Sequence, residues 1–98
     1  MIIYIVPEPA KTKFPLGELY ATANAEATLV PGDVATALAR HHIGDWGDLD
    51  AEDKASNEAG LLNGERLLSA YHDSKGVKFW IITERDRSVT TVLLPEDY

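Results

Sequence analysis

Three groups of residues in this chain combine types and spacings that could do chemistry. His41 and Asp45 lie four residues apart, with His42 between them, so both would share a helix face if the helix reached that far. An imidazole and a carboxylate could begin a metal site, but a metal needs three or four ligands and no HExxH-type pattern follows. The simpler reading makes His41 a partly buried, hydrogen-bonded residue near a helix end, where an imidazolium also suits the helix dipole. The second group is the run Glu84, Arg85, Asp86, Arg87. Paired carboxylates can divide acid–base work when one is desolvated, whereas at a wet hairpin tip alternating charges form local ion pairs. The third group is Ser69, Tyr71, Lys78, Trp80 and Thr91. As an enzyme site it would use Lys78 as base or anion binder, without any triad spacing. As an interface it offers an aromatic anchor with hydroxyls and one cation. As plain structure, Trp80 would be covered by the N-terminal strand or by Tyr98. There is no Gly-rich phosphate loop, no GxSxG elbow and no basic–aromatic stripe, so no cofactor, no metal and no direct nucleic-acid contact are expected.

Charge narrows the partner classes. The formal net charge is −7, which disfavours binding to a phosphate backbone and favours a partner with a basic surface. The excess is local: Asp45, Asp48, Asp50, Glu52, Asp53 and Glu58 face Lys54 alone between positions 41 and 60. A solvated helix end that keeps the protein soluble explains the same cluster. With 98 residues, 45% of them hydrophobic and 26% charged, the chain suits a single small domain, 1–98. It has no cysteine, which removes disulfides and thiolate metal sites and fits a cytoplasmic location. The apolar start Met1–Val6 is too short for a membrane span and lacks a basic n-region.

The elements that must position these groups follow from periodicity and punctuation. Ile2–Val6 reads as a strand, and Pro7–Pro15 as an irregular, exposed connection. Leu16–Thr22 is a second possible strand, and Ala23–Leu29 a short helical turn stopped by Val30-Pro31-Gly32. Asp33 is expected to cap a helix over about 34–43, burying Val34, Ala37, Leu38 and His41, with Gly44 as its stop. Asp45-Trp46-Gly47 makes a tight turn whose indole plugs a corner. Asp50 caps a second helix over about 51–62, with Ala51, Ala55, Ala59 and Leu62 as its apolar stripe and Asn63-Gly64 as its end.

A three-strand antiparallel meander over about 66–94 follows, its strands separated by Asp73–Gly76 and Glu84–Arg87. If each four-residue loop closes a hairpin, His72 pairs with Val77 and Thr83 with Ser88. Leu68, Ala70, Val77, Phe79, Ile81, Thr90, Val92 and Leu94 then form the core face, covered by the two helices. Ser69, Tyr71, Lys78, Trp80 and Thr91 fall on the other face with Leu67, Ile82, Val89 and Leu93. A one-residue slip would exchange the faces. Arg66 lies near the second loop, in reach of Glu84 or Asp86. The expected class is α+β, an antiparallel sheet packed on two helices with one or two further N-terminal strands.

From Arg40 onward the chain resembles a family of small bacterial proteins carried on plasmids and integrated elements, the plasmid-related proteins. The resembling residues are Arg40-His41, Gly44-Asp45-Trp46-Gly47, Glu52-Asp53, Asn57-Glu58, Gly64, Arg66, Ser69, Tyr71, Lys78, Trp80-Ile81-Ile82-Thr83-Glu84, Asp86-Arg87-Ser88, Thr90-Thr91, Leu94-Pro95 and Tyr98. The match extends more loosely to Leu16-Gly17 and Ala21-Thr22. The resemblance implies a mobile-element context in a bacterial cytosol and no particular mechanism. Three functions fit these features. One is an interaction protein that inhibits or modulates a host defence complex, of anti-CRISPR or anti-restriction type, through Asp45–Glu58 or the Trp80 face. The second is a small enzyme, such as a RelE-like nuclease toxin, which has the same order of elements but needs a basic surface. The third is an accessory protein without its own activity, a homodimer through Trp80.

Overall fold

The computed structural model describes residues 11–98, so the strand expected over Ile2–Val6 lies outside the described residues. The elements run β1 (Glu18–Ala21), α1 (Ala23–Thr28), α2 (Pro31–His42), α3 (Ala51–Asn63), β2 (Leu67–His72), β3 (Lys78–Thr83) and β4 (Val89–Leu93), followed by a 3-10 turn at Pro95–Asp97. The class is α+β, as expected. The four strands form one sheet in the order β1-β4-β3-β2. The meander is antiparallel, and β1 joins β4 in parallel, which makes the sheet mixed. Among the described residues no helix is long and apolar enough to cross a membrane.

The register of the meander differs from the expected one, and the difference decides which side chains are buried. Leu67 pairs with Thr83 and His72 with Lys78, one residue away from the expected alignment. Gly76, at φ +82°, is the cause: its left-handed backbone adds a residue to the loop, as in a bulged turn. Asp73 fixes that loop by accepting from the backbone N–H groups of Lys75 and Val77, both at 2.9 Å. The second hairpin is displaced by two residues, with Thr83 opposite Thr90. A shift of two leaves side chains on their own face, but a shift of one exchanges them. Phe79, Ile81, Thr90, Val92 and Leu94 therefore sit in the core as expected, whereas β2 is turned over. Leu67, Ser69 and Tyr71 enter the core, and Leu68 and Ala70 lie on the outer face beside Ile82 and Trp80.

The helices close the inner face. Val34, Ala37, Leu38 and His41 are buried along α2, as its spacing predicts. Val34, Ala37 and Leu38 pack with Ala25 and Leu29 against Tyr71, Phe79, Ile81, Val92 and Leu94, while His41 meets Phe14 and Trp46. The helix starts earlier than expected. Pro31 occupies its first turn behind Val30, because a proline there loses no hydrogen bond. Asp33 is thus inside the helix, and its carboxylate instead accepts from the Ser74 N–H at 2.8 Å. A smaller apolar cluster holds Phe14, Trp46 and Leu67, with Leu16, Leu49 and Leu61 around it. Phe14 is therefore core, although the stretch Pro7–Pro15 reads as exposed.

Helix α3 is rotated away from the alanine stripe. Ala51, Ala55 and Ala59 are exposed, as is Leu62 at 88%. The buried positions are Asn57 and Gly60, with Leu61 half-buried. Hydrogen bonding sets this orientation. β2 is an edge strand, and the Asn57 amide bonds to its free side, donating to the Leu68 carbonyl at 2.7 Å and accepting from the Leu68 N–H at 3.1 Å. The chain at Trp46–Asp48 continues the closure: Ala70 N–H donates to the Trp46 carbonyl at 3.3 Å, and Asp48 N–H donates to the Ala70 carbonyl at 2.7 Å. Gly47 permits that approach, since a Cβ there would meet the Ala70 oxygen at 2.0 Å. An edge satisfied in this way offers no template for another strand.

Replacing Asn57 tests this account. Asn57→Ala leaves the Leu68 N–H and C=O without partners and should cost about 2–3 kcal/mol. Asn57→Asp, of the same shape, cannot donate to the carbonyl and should also destabilise. Urea unfolding would read both; an Asn57→Asp midpoint equal to wild type would remove the role assigned to the amide.

Candidate functional site

Two of the sequence-derived groups meet on the outer face of the sheet. Asp48, Asp50 and Asp53 from the loop before α3 and its first turn line one wall of a cleft of about 570 Å³. Trp80 and Lys78 of β3 line another, with Leu49, Leu68, Ala70, Ser56 and Asn57 between them. The closure of the β2 edge brings these walls together, because it holds residues 46–48 beside the strand.

The carboxylates differ in their remaining capacity. Asp50 caps α3 by accepting from the Asp53 N–H at 2.8 Å, as the sequence predicts. Asp48 accepts from or pairs with the His72 ring at 2.8 Å. The Asp53 side chain makes no ion pair within 4.0 Å among the described residues. The other acidic candidates lie elsewhere. Asp45 is bound by the Arg40 guanidinium at 2.8 and 3.3 Å, which holds its carboxyl below the usual range. Glu58 accepts from the Trp46 indole N–H at 2.7 Å. Glu52 is exposed in the first turn of α3.

Trp80 is half-buried. Tyr98 crosses it edge-on at 5.8 Å, and Arg66 donates to the Tyr98 hydroxyl at 2.6 Å. Asp97 anchors this C-terminal turn by accepting from Thr22 at 2.6 Å and Asn24 at 3.1 Å. Tyr98 thus covers one side of the indole, and the cleft borders it as well. Thr91 stands on the same face next to Ile82, outside the cleft lining.

Ser69 and Tyr71 do not belong to this face. The slip in the first hairpin places both in the core, 0% and 1% exposed. Tyr71 donates to the Asp45 carbonyl at 2.5 Å, and burial pushes its phenol pKa up. Ser69 joins a buried chain of polar groups that sequence spacing does not reveal. Its hydroxyl lies 2.5 Å from His41 Nδ1, and His41 Nε2 lies 2.9 Å from Thr83 Oγ1. Thr83 and Thr90 are 2.7 Å apart, and Thr90 reaches the Leu16 carbonyl at 2.6 Å. The end of the chain fixes its direction. A carbonyl only accepts, so Thr90 donates to Leu16 and Thr83 donates to Thr90. Each hydroxyl has one proton, so Thr83 accepts from His41 Nε2–H; burial keeps the imidazole neutral, so Nδ1 carries no proton and accepts from Ser69. The imidazole is neutral with a defined tautomer. Both its nitrogens are engaged, and among the described residues no group of three or more His, Cys, Asp or Glu side chains could hold a metal.

One arginine of the charged hairpin is bound as well, while Arg85 is exposed. Arg87, at φ 62°, donates to the carbonyls of Glu65 at 2.6 Å, Glu84 at 3.1 Å and Gly60 at 3.1 Å. Its guanidinium therefore ties the second hairpin to the end of α3. Arg66 lies 3.5 Å from Glu84, an exposed pair. No family model, curated protein or solved structure matches the chain.

The His41 chain predicts a pH response. Burial, with the charges of His42 and Arg87 nearby, lowers its pKa from 6.5 to about 3. Below pH 6.5 the unfolded chain takes up a proton that the folded one refuses, so stability is complete above 6.5 and falls as the pH drops towards 3. The expected loss at pH 5 is about 2 kcal/mol. Denaturant unfolding at neutral and acidic pH should show this loss in wild type and a smaller one in His41→Leu. Equal pH dependence in the two proteins would contradict the assignment.

Proposed function

We propose that the protein acts by binding a protein partner that presents a basic surface, in the manner of a mobile-element factor that inhibits or modulates a host defence complex. One observation carries the binding part of this reading. The acidic loop Asp48–Asp53 and the aromatic outer face, far apart in sequence, line a single cleft. Aromatic anchors beside carboxylates suit a hot spot for basic protein surfaces. The defence context rests on the resemblance to plasmid-related proteins, and a bacterial cytoplasmic setting goes with it. Nucleic-acid-binding complexes of the CRISPR or restriction type are the natural basic partners, because they carry grooves built for phosphate.

The enzyme reading has less to support it. Tyr71 and Arg87, side chains of the kinds a nuclease centre would use, are held by backbone carbonyls. The net charge of −7 also opposes an RNA-binding surface.

The test is capture of purified CRISPR surveillance and restriction complexes on the immobilised protein across a salt series. Binding should weaken steeply as salt rises, and the bound complex should lose affinity for its nucleic acid. Binding that ignores salt, or that leaves nucleic-acid affinity untouched, would refute the charge-based mode of action.

A further inference from the structure

We infer that the cleft between the start of α3 and the outer face of β2–β3 receives an arginine side chain from an extended segment of the basic partner, stacked on Trp80. This deepens the proposed function and rests on it. Three features select that occupant. First, the indole of Trp80 is half-buried, with Tyr98 against one side and the cleft on another, so a flat group can lie against a fixed aromatic surface. Guanidinium stacks on indole better than ammonium does, because it is planar and weakly hydrated. Second, the cleft holds three carboxylates, Asp48, Asp50 and Asp53, against one lysine, Lys78. Asp48 and Asp50 each have one oxygen engaged, by His72 and by the Asp53 N–H, which leaves acceptors on all three for the fork of an arginine. Third, the backbone edge of β2 is closed by Asn57 and residues 46–48. A bound segment therefore cannot add as a strand and must be held through side chains, which makes the arginine contact the anchoring one.

Lys78 gives the inference its sign. It is exposed at the cleft wall and repels an incoming cation. A lysine serving as the recognition group would be required for binding, whereas here its loss improves it.

The experiment titrates isotope-labelled full-length protein with a short blocked glycine–arginine peptide and with its glycine–lysine counterpart, following the indole N–H signals by NMR. The Trp80 signal should shift saturably, and the Trp46 signal, buried and bonded to Glu58, should stay and report an intact fold. The arginine peptide should bind several-fold tighter than the lysine peptide. Trp80→Leu should weaken arginine binding about tenfold, Asp53→Asn should also weaken it, and Lys78→Gln should tighten it roughly threefold. Shifts confined to residues around Glu52 or Glu58, equal affinity for both peptides, or concentration-dependent Trp80 shifts without peptide would overturn the inference. The first of these would leave the broader reading of a basic partner standing. Failure of every basic peptide, together with failure to capture any defence complex, would sink both.

Discussion

The free side of β2 is a row of backbone donors and acceptors that must be satisfied, and most of the molecule's particular features follow from how this is done. Asn57 takes Leu68, and the Trp46–Asp48 segment takes Ala70. Water could have served the same groups, but then this hydrogen-bonded tie of α3 and its preceding loop to the sheet would be lost. Because protein atoms do it instead, α3 is held with Asn57, Gly60 and Leu61 inward, and the acidic loop is pinned beside the outer face of the sheet. The cleft lined by Asp48, Asp53 and Trp80 is a consequence of edge closure.

The inner side of the same strand is organised by a second polar device. Ser69, His41, Thr83 and Thr90 cross from α2 through three strands and end on the Leu16 carbonyl just before β1. Every member has a partner, which is the condition under which buried polar groups are tolerated. An apolar set would pack as well but would not discriminate between registers. Shifting β2 by one residue would remove Ser69 from His41 and bury an unpaired imidazole nitrogen, so the chain opposes the alignment that a simple four-residue loop suggests.

Much of the frame was legible in the sequence. The α2 stripe, the Asp50 cap, the three strands of the meander and the corner role of Trp46 appear where residue types and spacing place them. Two parts of the site were not legible. The outer face of β2 is hidden in the sequence because loop length does not disclose the bulge at Gly76, and one residue is enough to turn a strand over. The buried stripe of α3 is hidden too: Ala51, Ala55, Ala59 and Leu62 have the right period, yet the helix answers to a hydrogen-bonding demand that hydrophobicity does not encode. A single asparagine at position 57 outweighs weakly apolar alanines, since leaving two backbone groups unpaired costs more than exposing small side chains. Phe14 gives no sequence signal of burial because it stands alone among prolines and lysines, with no periodic neighbours to mark it.

By itself, the sequence determined the α+β class, the order of elements, the acidity of residues 45–58 and the presence of an aromatic residue on the outer face of β3. Those properties depend on local spacing and composition, which neighbouring residues in the chain set directly. Only the tertiary structure decided that Ser69 and Tyr71 are core, that Asp45 and Glu58 serve Arg40 and Trp46, and that Asp48, Asp50 and Asp53 share a cleft with Trp80. Those outcomes turn on a loop bulge and on which side chain meets an unpaired strand edge. Both are settled by contacts between segments far apart in sequence, where a single hydrogen-bonding requirement can override the pattern of either segment alone.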